Sequence, residues 1–312
     1  MSPSACTNLQ PMNINYWMSR FEKNARNRRE PEWQAPVTLT GRPLTRLRRS
    51  LQQFQLGDGG GPASLIGWNR TTYLAADPDM EKLIGLWFNE EKEHSRLLGL
   101  ALRRLEAPEI AGHWSFSLFC GVRKILGVRF ELQALLLTEI VSHVYYKMLH
   151  RHVDDPAIRR MCALIIRDES GHIAFHRARL ASEYRRNGTT SELRWPWLFR
   201  LRGLMAGTVL WVNHRGALRA FGARDSDFYR GIWKGMGRFL DGLQRDLPRE
   251  RSSGTNSQPP APEWLMRSLS ARQHPTQTLL RNRRHDKQAC RPVCVPKLNI
   301  EANPEFSHLT GL

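Results

Sequence analysis

Two short runs of this chain set a carboxylate three residues before an imidazole: Glu91-Lys92-Glu93-His94 and Glu169-Ser170-Gly171-His172. On a helix, positions i and i+3 stand on one face, so each pair aims an oxygen and a nitrogen donor at a single point. Two helices of this kind, with one more carboxylate from each of two others, make the ligand set of a four-helix carboxylate di-metal site. Glu139 and Asp58 are the acids that would complete it.

Those donors need four helices to hold them, and the apolar spacing supplies four. Steps of three and four give Met80, Ile84, Trp87, Glu91, His94, Leu98, Ala101 in a helix expected over 78–105. A helix over 156–186 gives Ile158, Cys162, Ile165, Glu169, His172, His176, Leu180. Asp77-Pro78 and Asp155-Pro156 are each an N-cap followed by a first-turn proline, and both motif glutamates lie 14 residues after the capping aspartate. A helix over 128–150 carries Val128, Leu132, Leu135, Glu139, Ser142, Tyr146, Leu149, with Gly127 just before it. A helix from 44 to about 75 runs through Leu44, Leu47, Leu51 and Phe54 to Asp58. Asp58 sits in Gly57-Asp58-Gly59-Gly60-Gly61-Pro62, so either that helix breaks there or Asp58 belongs to a turn. Gly112 and Asn187-Gly188 mark breaks, and at least one further helical region is expected in 196–245.

A charge on an inward seam costs several kcal/mol unless something compensates it. A metal ion would do so; the competing reading is a Glu/His network that satisfies itself. Chance supplies about 0.6 Glu-x-x-His matches in a chain with 18 Glu and 11 His, so one match alone means nothing. Glu305 and His308 form a third, in polar sequence beside Pro304, and take no role. Two matches at equal depth on apolar seams, with acids on the other two seams, are the informative pattern.

Neighbouring residues have two readings each. His176, one turn past His172, is an extra ligand or proton carrier, or a core histidine. His143 stands in the same relation to Glu139. Asp168 is an acceptor for a ligand imidazole N–H or a surface charge. Tyr146 is a redox tyrosine or a core aromatic. Cys290 and Cys294, near His285, lack a fourth ligand for zinc.

The whole chain has 312 residues, 41% hydrophobic and 24% charged, which excludes collagen, coiled coil and wholesale disorder. No apolar stretch is long and clean enough to predict a membrane span, and no basic patch leads into an apolar run near Met1, so no secretory signal is read. Five scattered cysteines do not make a disulfide framework and fit a reducing cytoplasm. Residues 1–42 read as an extended basic arm, 43–247 as the helical body, and 248–312 as a disordered, basic, Pro-rich tail. The net charge of +18 attracts phosphates, anionic lipid or acidic partners, and leaves nucleic acid as a weaker candidate partner.

Over residues 44–186 the pattern resembles the ferritin-like di-iron carboxylate superfamily. Phe54-Gln55-Leu56-Gly57-Asp58 and Arg167-Asp168-Glu169-Ser170-Gly171-His172 are similar to a poorly characterised bacterial branch in which the first motif usually ends in Glu, whereas here it ends in Asp followed by three glycines. The resemblance implies an all-α, ferritin-like four-helix bundle with additional C-terminal helices and disordered ends. It implies two irons, with manganese an alternative at either position, held by Asp58, Glu91, His94, Glu139, Glu169 and His172, with Glu91 and Glu169 bridging. It further implies an O2-dependent oxidase or oxygenase acting on a small, mostly apolar molecule, with an electron donor still to be named. The alternative is iron storage or rubrerythrin-like peroxide handling. A homodimer is compatible with either.

Overall fold

The computed structural model describes residues 12–59 and 78–247, with the side chains of all but 59, 119, 122–129 and 186–187 among them. The expected tail, the helix beyond residue 59, Asp77, His285, Cys290, Cys294, Glu305 and His308 lie outside the described residues. All that is described belongs to one unit, and its regular elements are all helices.

Four long helices carry the four seams: α2 (Gly41–Gly59), α3 (Pro78–Arg104), α4 (Trp114–His152) and α5 (Pro156–Asn187). Local chemistry sets several ends. Asp155 caps α5 by accepting from the Ile158 N–H, with Pro156 in the first turn, and Gly188 ends it at φ 72°. α4 starts at Trp114, not at 128, because the His113 side chain accepts from the Ser115 N–H. Gly127 lies inside that helix; one glycine costs a helix about 1 kcal/mol, less than the packing of so long an element returns.

α2 packs on α3, α4 on α5, and α3 against α5. The seams bury Leu47, Leu51 and Phe54, then Leu98 and Ala101, then Tyr146 and Leu149, and Ile158, Cys162 and Ile165. These meet in one core, which fixes the facing sides of the four helices. After the short α6 (Ser191–Arg194) come α7 (Pro196–Ala220) and α8 (Asp225–Asp246). Both pack on α4; α7 also touches α2, and α8 touches α5. No helix among the described residues is long and apolar enough to cross a membrane.

The N-terminal segment departs from the extended arm expected of it. Residues Ile14–Arg26 form α1, capped by the Asn13 side chain on the Tyr16 N–H. Trp17 and Phe21, four residues apart, fall on one face and are buried with Leu83, Ile84, Trp87 and Phe175. Pro31 and Pro36 lie beyond this helix and do not interrupt it.

α7 and α8 meet through small residues. A Cβ added at Gly207 would run into the Cδ1 end of the Ile232 side chain, which is fully buried. Gly207→Val is expected to lower stability by about 1–3 kcal/mol in urea unfolding. Between α2, α4 and α7, a polar knot is enclosed in the core: Ser50 Oγ lies 2.6 Å from Tyr145 Oη and 2.8 Å from His214 Nδ1. Burial, helped by His113, pushes His214 down to about 3. A depressed histidine contributes stability above its unfolded value of about 6.5, and that stability is lost as pH falls towards 3. His214→Phe should therefore flatten the fall in melting temperature across this window; an unchanged slope would remove His214 as its source.

Candidate metal centre

The six candidate donors lie on the four long helices. Glu91 and His94 project from α3, Glu139 from α4, and Glu169 and His172 from α5; His94 and His172 are fully buried, Glu139 and Glu169 nearly so. Asp58 occupies the last turn of α2, so the helix continues through the glycine-flanked position, and its carboxyl feels the charges of Glu91, His94, Glu139 and His172. Glu91, Glu139 and His172 each place a ligand atom within 4.8 Å of the others, a buried Glu/Glu/His group that fits a metal ion.

The two imidazoles are arranged alike. His172 Nδ1 lies 2.9 Å from a Glu91 oxygen and 3.3 Å from Glu139. His94 Nδ1 lies 3.5 Å from the other Glu91 oxygen and 4.0 Å from Glu169. Their outer nitrogens cross over: His94 Nε2 is 3.3 Å from Asp168 on α5, and His172 Nε2 is 3.0 Å from Glu90 on α3. So the acid preceding each motif glutamate anchors the histidine of the opposite helix. A metal-bound imidazole usually donates its second N–H to such an acceptor, which fixes the ring and its tautomer.

Arg28 ties the two outer acids together, 2.7 Å from Asp168 and 3.9 Å from Glu90. Its backbone is held on both sides, Arg167 donating to the Asn27 carbonyl and Arg160 to that of Arg29. Phe21 and Trp87, each about 6.0 Å from His172 between ring centroids, wall off this side.

The inner atoms crowd together without bonding well. Glu91 Oε1, His94 Nδ1 and Glu169 Oε2 are buried with no hydrogen-bond partner. Close approach without hydrogen-bond alignment is what donors aimed at a shared cation would show. Electrostatics agree. Burial, with Glu91 and Glu139 nearby, raises Asp58 well above the usual carboxylate range. Burial and Glu139 do the same to Glu169. Burial works against the charge of Glu91, but His172 and His94 outweigh it and hold that carboxyl low. Burial also opposes charge on His94, yet Asp168 and Glu91 lift it to about 10, and His172 is raised well above normal by Glu139 and Glu91. Without a cation, then, the carboxylates are balanced by protons. The donor set and its unbonded atoms fit a metal ion.

The residues read two ways from sequence take the following places. Asp168 is buried and bonded to His94, Arg28 and Arg167. His176 is fully buried edge-on to Trp87, with neither ring nitrogen bonded, and burial with Arg179 and His172 drives it well below its ordinary value. His143 instead meets Ser170 at 3.0 Å and is pushed down to about 4 by burial, Lys147 and Arg238. Tyr146 is buried with an unbonded hydroxyl, its pKa raised first by burial and then by Asp58.

Sequence reasoning missed Glu90 and Arg28. Glu90 had a signal: both motifs read acid-Glu-x-x-His, and only Asp168 was noticed. Arg28 had none, being one of many arginines near the N-terminus.

Compared with known protein families, curated proteins and solved structures, the chain matches none. The fold and site define an all-α helical bundle with a buried Glu/Glu/His cluster that fits a metal ion.

Proposed function

We propose that this chain is a ferritin-like di-metal carboxylate protein, and that it acts as an O2-dependent oxidase or oxygenase on a small, largely apolar molecule. The observation that carries the reading is the crossed pair His94–Asp168 and His172–Glu90, which turns both Nδ1 atoms toward Glu91. Asp58, Glu91, His94, Glu139, Glu169 and His172 would hold two iron or manganese ions, Glu91 and Glu169 serving both. Such a pair, when bound and reduced, supplies electrons to O2 or peroxide.

The chain's own groups do the rest. Asp168 and Glu90 hold the imidazoles in one tautomer, and Arg28 holds both acids in place. Asp168 is held down to about 2, burial being outweighed by His94, Arg28 and Arg167. Phe21, Trp87 and Phe175 exclude water from the His172 side. A cavity of about 380 Å³ lined by Phe21, Arg28, Glu30, Asn89, Glu90 and Glu93 among others reaches Glu90 and Arg28 and offers an approach for a small molecule.

The test is oxygen uptake by iron-loaded protein supplied with reductant and candidate apolar substrates. Sustained uptake supports the enzyme; uptake that stops once the protein's own iron is oxidised overturns it in favour of iron storage.

A further inference from the structure

α7 is apolar on two opposite sides. Its inner side, with Phe199, Gly203, Gly207 and Trp211, is buried in the core. Its outer side repeats Trp197, Leu201, Met205, Val209 and Val212 at steps of four, four, four and three, and all five are exposed, Trp197 and Met205 each at 61%. This is a continuous stripe about 23 Å long. Single exposed apolar residues are ordinary, but a contiguous row of large ones marks an interaction surface.

The stripe is framed by positive charge and indole. Arg194 precedes it, and Arg215 and Arg219 continue its line toward the C-terminal end. Beside it on α8, Arg230, Lys234 and Arg238 are exposed around Trp233. Arg200 of α7 lies 4.5 Å over the Trp233 ring, and Arg194 5.6 Å over the Trp195 ring. From Arg194 to Arg238 there are nine Lys and Arg against two Asp, and those two, Asp225 and Asp227, already pair with Arg219 and Arg224.

We propose that the α7–α8 face docks on an anionic lipid surface, with the apolar stripe in the acyl boundary and the arginines and lysines among the headgroups. Tryptophan and arginine flanking an apolar row suit the lipid interface, where the indoles sit at headgroup level and the long cations reach for phosphate. The charge selects lipid over a second copy of the chain. A pair of these faces would bring Arg194, Arg215 and Arg219 of two +18 molecules together, whereas an anionic leaflet attracts each of them. The proposal goes beyond the metal reading and does not depend on it.

Co-sedimentation of the full chain with vesicles tests it, comparing phosphatidylcholine alone with phosphatidylcholine containing phosphatidylglycerol. The wild type is expected to bind the anionic vesicles and to leave the neutral ones largely unbound. Leu201→Glu/Met205→Glu should weaken that binding by about tenfold or more, since two large apolar side chains no longer enter the bilayer. Both proteins should carry the same metal content, which keeps this outcome separate from the centre's. Three results would overturn the proposal. These are no binding of the wild type to anionic vesicles, equal binding by the double variant, or a wild-type dimer that the double variant dissociates while neither protein binds lipid.

Discussion

Protein reconstituted without oxygen is expected to take up two iron or manganese ions per chain, following the ligand set of the di-metal bundle, and Glu91→Ala and Glu169→Ala are each expected to lose both. Glu91 is the most demanding position, because its two oxygens face the two different imidazoles, 2.9 Å from His172 and 3.5 Å from His94. Removing it takes a donor from both halves of the centre. A loss of at least about 100-fold in affinity is expected from the strength of multi-ligand sites. Metal analysis of the three proteins side by side reads the result. A wild type that binds no metal, or variants that bind as it does, would leave only a self-satisfied Glu/His network.

Loading should also release protons, and the sign follows from the shifts. His94, raised to about 10, and His172, raised as well, carry protons at neutral pH, and Asp58 and Glu169 are raised in the same sense. A cation must displace those protons, so affinity rises with pH and falls as pH is lowered. Titration with metal in weakly buffered solution at constant pH counts the protons directly. In the metal-free protein, the raised His94 contributes stability that is complete below 6.5 and lost as pH rises through about 10. Metal should remove that alkaline loss.

The second large effect is expected at Arg28, which acts through the two outer acids. Arg28→Ala should lower metal affinity by about 10–100-fold, the range typical of losing the outer partners of ligand histidines. Asp168 and Glu90 would then sit buried without the cation that holds them beside His94 and His172. Arg28→Lys should rescue little, since one ammonium cannot span both acids as a guanidinium does. Competition against a chelator measures the affinity. A double-mutant cycle with Asp168→Ala separates positioning from mere stability: coupling in metal affinity supports positioning through Asp168, whereas strict additivity refutes it.

How much of this was legible before folding depends on how local each feature is. The all-α class and the four seams could be read from spacing, because helical periodicity is a property of the chain alone. So could the two Glu-x-x-His pairs and the acid of α4, which interrupt those seams. Asp58 stood between two local readings, glycine and proline disfavouring helix while the seam required it; the bundle settles it by holding α2 helical through Gly59. The start of α4 was misplaced for a similar reason, since Gly127 weighs heavily in a local reading and lightly in a long packed helix.

Residue types and their spacing along each helix were therefore set by sequence, including the candidate donors and their positions on the seams. Which atoms face one another was decided only by tertiary structure. The crossing of His94 to Asp168 and His172 to Glu90, the arrival of Arg28 over both acids, and the burial of Trp17 and Phe21 all join segments far apart in the chain. Periodicity reports the face a residue occupies on its own helix and carries no information about what packs against that face, so contacts between helices emerge only when the core closes.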